Sequence, residues 1–120
     1  MDKDAVGKLG EKYAVNYLRK QHYAILETNF RNKLGEIDII AGSGNILVFV
    51  EVKTRNEKMP LNSPGEAVTL SKQKKIRQIA ETFTGSFKGS TWNQCRFDVI
   101  EIIIDSQGTI KSINHLENAF

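Results

Sequence analysis

The sequence contains little of the cysteine and histidine that many metal sites and nucleophilic enzymes use. It has one cysteine, Cys95, which excludes an intramolecular disulfide and a cysteine-rich zinc site. The two histidines, His22 and His115, are isolated from each other, so a histidine-based metal site is not expected. No Walker loop, dinucleotide fingerprint or serine nucleophile elbow is present. We therefore do not expect a disulfide-stabilised fold, a zinc site, a nucleotide-binding loop of these types or a serine hydrolase.

Long apolar runs are also missing. The longest are Ile46–Val50 and Ile102–Ile104, far short of a membrane span. The chain begins Met1-Asp2-Lys3-Asp4 with no apolar stretch behind it, which argues against a secretory signal. We therefore expect a cytoplasmic protein that has no membrane partner.

The length of the chain limits the number of domains, and its charge bears on the kind of partner. A chain of 120 residues suits one compact domain and is too short for two ordinary ones, so we expect a single domain over residues 1–120. The 17 basic and 14 acidic residues give a net charge of +3, a weak indication of an acidic partner such as nucleic acid. An ordinary basic surface explains that charge equally well.

The order of elements is predicted to be helix, strands, helix, strands. Apolar residues at helical spacing predict a first helix from Asp4 to about Gln21, capped by Asp2 or Asp4, and a strand over Tyr23–Asn29 follows. A turn, a hairpin, a loop, a second helix capped by Ser71 and a final pair of strands complete the chain. The predicted ranges are 31–35 (turn), 36–41 and 46–54 (hairpin strands), 56–65 (loop), 72–83 (helix), 97–104 and 109–113 (strands). The fold class is α/β or α+β, a central mixed sheet flanked by helices.

The hairpin carries charge where a strand is expected to be apolar. Alternation places Glu51 and Lys53 on one face of their strand, together with the apolar Leu47 and Phe49. If the hairpin turns tightly at Gly44-Asn45, Asp38 lies opposite Glu51, with β-carbons about 4.5–5.5 Å apart. The same register sets Glu36 opposite Lys53. A three-residue loop or a bulge would put Asp38 on the other face.

A divalent cation would relieve the repulsion between Asp38 and Glu51. Magnesium prefers oxygen ligands and often binds through one or two carboxylates plus phosphate oxygens, and the carbonyl of Val52 is a natural further ligand. Manganese is the expected substitute. Lys53 is placed to position an attacking water or to stabilise developing negative charge. The alternative is that these residues are polar groups on a solvated sheet face, because the pattern is short and common.

Other charged residues are weaker candidates for binding the cation or the phosphates of nucleic acid. Glu11 lies at the border of the first helix's apolar stripe, where it could reach the cation, although an exposed helix glutamate is an equally good interpretation. Basic residues near the hairpin and the second helix could bind phosphates without reading sequence. The candidates are Arg31, Arg55, Lys72 and Lys75, and Lys72 is singled out because it opens a helix.

These residues resemble the motif of the PD-(D/E)xK nuclease superfamily. Asp38, Glu51 and Lys53 match it, with Ile37 where the proline usually stands. The resemblance implies a restriction-endonuclease-like fold. Glu11 looks like the additional acidic residue of archaeal Holliday-junction resolvases, which share this arrangement.

Within that superfamily the chain is similar to the bacterial YraN family over nearly its whole length. The matching segments are Gly10-Glu11, Gly35-Glu36-Ile37-Asp38, 49–55, 66–68, Arg96-Phe97-Asp98-Val99 and Asn118-Ala119-Phe120. Asn62 stands where the family's glycine is expected, which affects only the shape of that loop.

The resemblance implies a magnesium-dependent endonuclease that hydrolyses phosphodiester bonds in DNA, branched or otherwise structured. Asp38 and Glu51 would hold the cation, Lys53 would assist the attacking water and Glu11 would support the site. Two other hypotheses stay open. One is a nucleic-acid-binding module that does not cleave or that needs a partner to do so, and the other is a structural or interaction domain whose polar pairs stabilise the hairpin. A homodimer would suit cleavage of two strands, but no interface can be identified from the sequence.

Overall fold

The computed structural model describes residues 2–57, 68–85 and 92–120. The elements are α1 (Lys3–Lys20), β1 (Ala24–Asn32), β2 (Gly35–Ser43), β3 (Ile46–Asn56), α2 (Leu70–Gly85), β4 (Gln94–Ile104) and β5 (Ile110–Leu116). The strands form a five-stranded sheet in the order β1-β2-β3-β4-β5. Strands β3 and β4 are parallel and the other neighbours are antiparallel. The predicted mixed α+β architecture is confirmed.

The two helices pack on opposite faces of the sheet. Side chains alternate along β3, so Leu47 and Phe49 pack in one core cluster, which contains the buried residues of α2. Val48 and Val50 pack in the other cluster with residues of α1. Because both faces of β3 are covered, a charged side chain on this strand meets apolar neighbours unless it lies near a strand end. No helix of the described residues is long and apolar enough to span a membrane.

Helix α1 has the cap and the buried stripe that its sequence predicts. Its N-cap is Asp2, whose Oδ1 accepts a hydrogen bond of 2.8 Å from the amide of Ala5. Ala14 and Leu18 are fully buried, and Arg19 and Lys20 in the last turn complement the helix dipole.

Helix α2 begins two residues earlier than predicted. The amide of Lys72 donates to the hydroxyl of Thr69 over 3.2 Å, so Thr69 caps the helix. The predicted cap, Ser71, is wrong because this residue already lies in the first turn. Periodicity identified the buried face correctly: Ile76, Ile79, Ala80 and Phe83.

Several strands extend beyond their predicted ends because neighbouring strands supply hydrogen-bonding partners. The sequence predicts a turn at Arg31 and Asn32, but strand β1 continues through both residues because they pair with Glu36 and Gly35. Strand β4 begins at Gln94, which pairs with Ile46 of β3, and β5 ends at Leu116 rather than at residue 113. In the predicted loop 56–65, Asn56 belongs to β3, and residues 58–65 lie outside the described residues.

A buried polar network fastens β4 to β5 and to the chain end. Asp98 is fully buried, and both its oxygens accept hydrogen bonds from Arg96, at 2.9 and 2.8 Å. His115 Nε2 lies 2.7 Å from Asp98 Oδ2, and the amide of Asn118 donates over 2.9 Å. Burial acts to raise the pKa of Asp98, but the hydrogen bonds from His115, Arg96 and Asn118 hold it below its ordinary range. His115 Nδ1 in turn lies 3.0 Å from the hydroxyl of Tyr17, so the network reaches α1.

Helix α1 approaches β3 most closely at Gly10. A β-carbon built there would lie 1.7 Å from Oγ1 and 2.7 Å from Cβ of Thr54. We expect Gly10→Ala to lower the free energy of unfolding by about 1–3 kcal/mol, because the helix must move away from the sheet. Urea unfolding measures this change.

Gly7 provides the matched control on the same helix. A β-carbon there meets nothing within 4 Å, so Gly7→Ala should stabilise the protein by about 0.5–1 kcal/mol through helix propensity alone. Equal changes in the free energy of unfolding for the two substitutions would show that the close approach to Thr54 does not affect stability.

Candidate active site

The β2–β3 hairpin turns at Gly44-Asn45, as the predicted register requires. The described ladder runs from Ser43↔Ile46 to Ile39↔Val50, and Gly44 has a φ of 59°. Asp38 and Glu51 follow the last described pair of this ladder, and both border the same cavity of about 370 Å³. The prediction that these two carboxyl groups lie together is confirmed.

At Asp38, strand β2 rotates about its own axis, so that side chains two residues apart point to opposite sides of the sheet. Ile37 packs in the cluster on the α2 side, whereas Ile39 packs in the cluster on the α1 side. Residues two apart in a regular strand share a face, so the strand must rotate at Asp38. The amide of Val52 donates to Asp38 Oδ2 over 2.8 Å, where a regular ladder would pair backbone groups. The carboxyl group of Asp38 borders cavities that residues of α1 also line.

A neighbouring irregularity in β1 accompanies this rotation. Asn29 lies between the pairs Thr28↔Ile39 and Phe30↔Ile37 and has a φ of 52°, which is uncommon for a residue other than glycine. Its Nδ2 donates to Oε1 of Glu11 and to Oε1 of Glu36, each over 3.0 Å. Asn29 thus holds a carboxylate of α1 beside a carboxylate of β2.

Three carboxylates form a cluster at this point. Glu11, Glu36 and Asp38 each offer an oxygen, and these oxygens all lie within 4.8 Å of one another. Glu36 was not predicted as a site residue, although its position two residues before Asp38 was a usable signal. The β2–β3 ladder ends at Ile39↔Val50, before the predicted pairing of Glu36 with Lys53, and on its other side Glu36 pairs with Arg31 of β1.

The electrostatics of the cluster favour a proton on Asp38 when no cation is bound. Burial, followed by the hydrogen bond and the negative charge of Glu51, raises the pKa of Asp38 to about 9, while the amide of Val52 acts in the opposite direction. Glu36 behaves differently, because the hydrogen bond from Arg31 holds its pKa below the ordinary value.

Glu51 supplies an observation that bears directly on metal binding. The residue is only 7% exposed, and its Oε2 accepts no hydrogen bond from the described residues. Lys72 Nζ lies 3.1 Å from that oxygen, an ion-pair distance without hydrogen-bond geometry. A buried carboxylate oxygen without a donor is costly unless a ligand satisfies it. The oxygen donors of Glu11, Glu36, Asp38 and Glu51 are the type that Mg²⁺ prefers, so the residues present fit that ion.

The structure places the predicted basic residues in different settings, and their binding of phosphate stays a prediction. Arg31 and Lys72 lie beside the carboxylates, paired with Glu36 and Glu51. Lys75 is exposed and lines a cavity of about 280 Å³ with Lys72 and Glu36. Arg55 is only 9% exposed, which leaves little of it for contact with a polyanion.

Lys53 is half-buried on β3, two residues after Glu51. Alternation places it on the same side of the strand as Glu51. Its parallel neighbour in the register of β4 is Glu101. The predicted position of Lys53 near the carboxylates therefore agrees with the strand geometry, while its role in chemistry remains a prediction.

Three open cavities border Glu11, and the one of about 430 Å³ is also lined by Asp38. One of about 670 Å³ is bordered by Lys3, Lys8, Glu11 and Arg31, among others. Another of about 370 Å³ is bordered by Glu11, Asp38, Glu51 and Val52, among others. The carboxylates are thus accessible from solvent on a side that also presents lysine and arginine.

The five-stranded mixed sheet with a helix on each face is consistent with the restriction-endonuclease-like fold. The carboxylates gather where β2 and β3 diverge, in the cavities just described.

The chain belongs to the family described as "Uncharacterised protein family UPF0102", whose profile matches residues 10–102 and which is the YraN family. A UPF0102 protein of Caldicellulosiruptor saccharolyticus is 44% identical over 120 residues, which cover 100% of both chains. A UPF0102 protein of Caldanaerobacter subterraneus subsp. tengcongensis is 46% identical over 121 residues, which cover 100% of this chain and 98% of its own. The family assignment made from sequence motifs is confirmed.

Proposed function

We propose that this protein is a magnesium-dependent endonuclease that hydrolyses phosphodiester bonds in DNA, with branched or otherwise structured DNA as the preferred substrate class. The observation that carries the proposal is the buried Oε2 of Glu51, which lies beside Asp38, accepts no hydrogen bond from the described residues, and has as its ion-pair partner a lysine, Lys72, that is 46% exposed. Such an arrangement is unfavourable for a purely structural pair and favourable for binding a divalent cation.

Asp38 and Glu51 would hold the ion, with the carbonyl of Val52 as a further ligand and with Glu11 and Glu36 beside them. Magnesium held there would supply Lewis-acid chemistry, making water more acidic and offsetting charge on the phosphate. Lys53, two residues from Glu51, would orient water and stabilise negative charge at the phosphate. Asn29 fixes Glu11 and Glu36 relative to each other and so keeps the cluster assembled.

The test is a cleavage assay on labelled linear, single-stranded, flapped and four-way-junction DNA, with single-stranded RNA as a further arm. Each substrate is incubated with magnesium, manganese or chelator. We expect cutting that requires the cation and that falls by at least about 100-fold in Asp38→Asn and in Lys53→Ala. Asp38→Asn is preferred to an alanine substitution because asparagine keeps an acceptor for the amide of Val52.

Lys111→Ala is the matched control, since Lys111 is an exposed residue of β5, at the edge of the sheet opposite β1. Cutting should be unchanged in this variant. Binding without cutting under every condition would favour the module that does not cleave. Absence of both binding and cutting would favour the structural domain, and preferential cutting of RNA would revise the substrate class.

A further inference from the structure

Two carboxylates of the acidic cluster are paired with side chains that are far more exposed than they are. Lys72 has a side chain 46% exposed, and its partner Glu51 is 8% exposed. Arg31 is 75% exposed, and its partner Glu36 is 26% exposed. In each pair the anion is fixed in the site and the cation reaches it from solvent.

The exposed cations can leave these pairs more readily than the less exposed anions can. Lys72 contacts Oε2 of Glu51 without hydrogen-bond geometry, so this pair gains mainly Coulomb energy. Arg31 extends from the edge strand β1, and its Nε donates to Glu36 Oε2 over 3.1 Å. Ion pairs that involve an exposed partner are weak because water and salt compete for the exposed group. Glu51, by contrast, cannot leave without unfolding part of the sheet.

Both cations also border the open space in which a phosphate backbone could lie. Arg31 lines the cavity of about 670 Å³ with Lys3 and Lys8. Lys72 lines the cavity of about 280 Å³ with Lys75. A rotation of either long side chain would exchange a carboxylate for a phosphate, and arginine is especially suited to bind phosphate with two parallel hydrogen bonds.

We infer that Lys72 and Arg31 are exchangeable counter-ions, which neutralise Glu51 and Glu36 in the free protein and transfer to phosphates when nucleic acid binds, so that substrate binding opens the cation site. This inference rests on the proposed function, since it describes how the same site is regulated. By thermodynamic linkage, nucleic acid then raises the affinity for the cation, and the cation raises the affinity for nucleic acid by the same factor. The free protein would consequently bind the cation weakly.

The experiment measures Ca²⁺ binding by isothermal titration calorimetry, with and without four-way-junction DNA, so that the readout does not depend on cleavage. Ca²⁺ takes the same oxygen ligands as Mg²⁺. We expect Lys72→Gln to raise Ca²⁺ affinity in the absence of DNA by about tenfold, because a competing charge next to Glu51 is removed. DNA should then raise Ca²⁺ affinity less in Lys72→Gln than in the wild type.

Lys74→Gln is the matched control. It removes the same charge from the same helix, and no carboxylate of the described residues forms an ion pair with Lys74. Its Ca²⁺ affinity should stay within about twofold of the wild type, because the charge of an exposed lysine without such an ion pair is screened by salt. Lys72→Arg, which keeps the charge, should stay close to the wild type as well.

The outcomes separate this inference from the proposed function. An affinity for Ca²⁺ in Lys72→Gln that equals or falls below that of Lys74→Gln overturns the exchange of counter-ions and leaves the cation site in place. The exchange of counter-ions is also overturned if DNA raises the Ca²⁺ affinity of Lys72→Gln as much as it raises that of the wild type. No Ca²⁺ binding by any variant, with or without DNA, overturns both proposals.

Discussion

Asp38→Asn should make the cation-free protein more stable at pH 8, by about 3 kcal/mol, which corresponds to a rise in melting temperature of roughly 10 °C. The reason is that asparagine resembles the protonated form of Asp38. Its carbonyl oxygen can accept from the amide of Val52, and its amide can donate to Glu51, but it cannot ionise. Buried acidic residues of this kind lower stability and are common where function needs charge.

The contribution of Asp38 to the stability of the wild type should fall as the pH rises. In the unfolded chain Asp38 ionises near the ordinary value of 3.8, whereas in the folded protein its pKa is raised to about 9. The unfolded state therefore releases this proton first, and the wild type loses stability as the pH rises between these two values. The free energy of unfolding of Asp38→Asn should equal that of the wild type near pH 4 and should exceed it increasingly toward pH 9.

Thermal unfolding of both proteins across this pH range, in chelator, measures the effect. Asp38→Ala is the control, since it removes the charge but also the acceptor for Val52, and it should not stabilise the protein as asparagine does. Added Mg²⁺ should raise the melting temperature of the wild type and leave Asp38→Asn unchanged. If asparagine is neutral or destabilising at pH 8, Asp38 does not hold a proton in the free protein.

Asp98→Ala should lower the free energy of unfolding by about 3–5 kcal/mol at neutral pH. The substitution leaves Arg96 without its main partner, at a position where the arginine side chain is 18% exposed, and it removes the acceptor for His115, which is 8% exposed. It also frees the amide of Asn118, which fastens the chain after β5. Urea unfolding at neutral pH measures the loss.

Glu117→Ala is the matched control for the Asp98 network. Glu117 lies 3.5 Å from Arg96 but is 59% exposed, so its removal should cost less than about 1 kcal/mol. The folded-state pKa of Asp98 is depressed, so its contribution is present above the unfolded-state pKa and is lost as the pH falls through the folded-state pKa. The difference between Asp98→Ala and the wild type should shrink in acid, and a difference that does not change with pH would contradict the assigned charge.

The sequence predicted the site well where local patterns are strong. Glycine and asparagine at 44 and 45 favour a two-residue turn, and such a turn fixes which residues oppose each other. Asp38 and Glu51 could therefore be placed together without a structure. Glu36 and Asn29 were missed because their roles depend on a rotation of β2 and on a positive φ in β1, which no periodic pattern encodes.

The basic residues show what reasoning from single positions leaves open. Arg31, Lys72 and Arg55 were assigned together as phosphate-binding residues. The structure pairs the first two with site carboxylates and buries the third. Charge type can be seen in a sequence, whereas the partner of a charge depends on which element packs beside it.

The sequence alone determined the family, the order of the elements, the register of the hairpin and the meeting of Asp38 with Glu51. These features follow from turn chemistry, periodicity and motifs, all of which act over short stretches of chain. Only the tertiary structure decided that α1 brings Glu11 to Glu36 and Asp38, that α2 sets Lys72 against a buried oxygen of Glu51, and that Asp98 is held by β5. Such contacts join residues distant in the chain, and the packing of whole helices on a twisted sheet fixes them to a precision that no local pattern specifies.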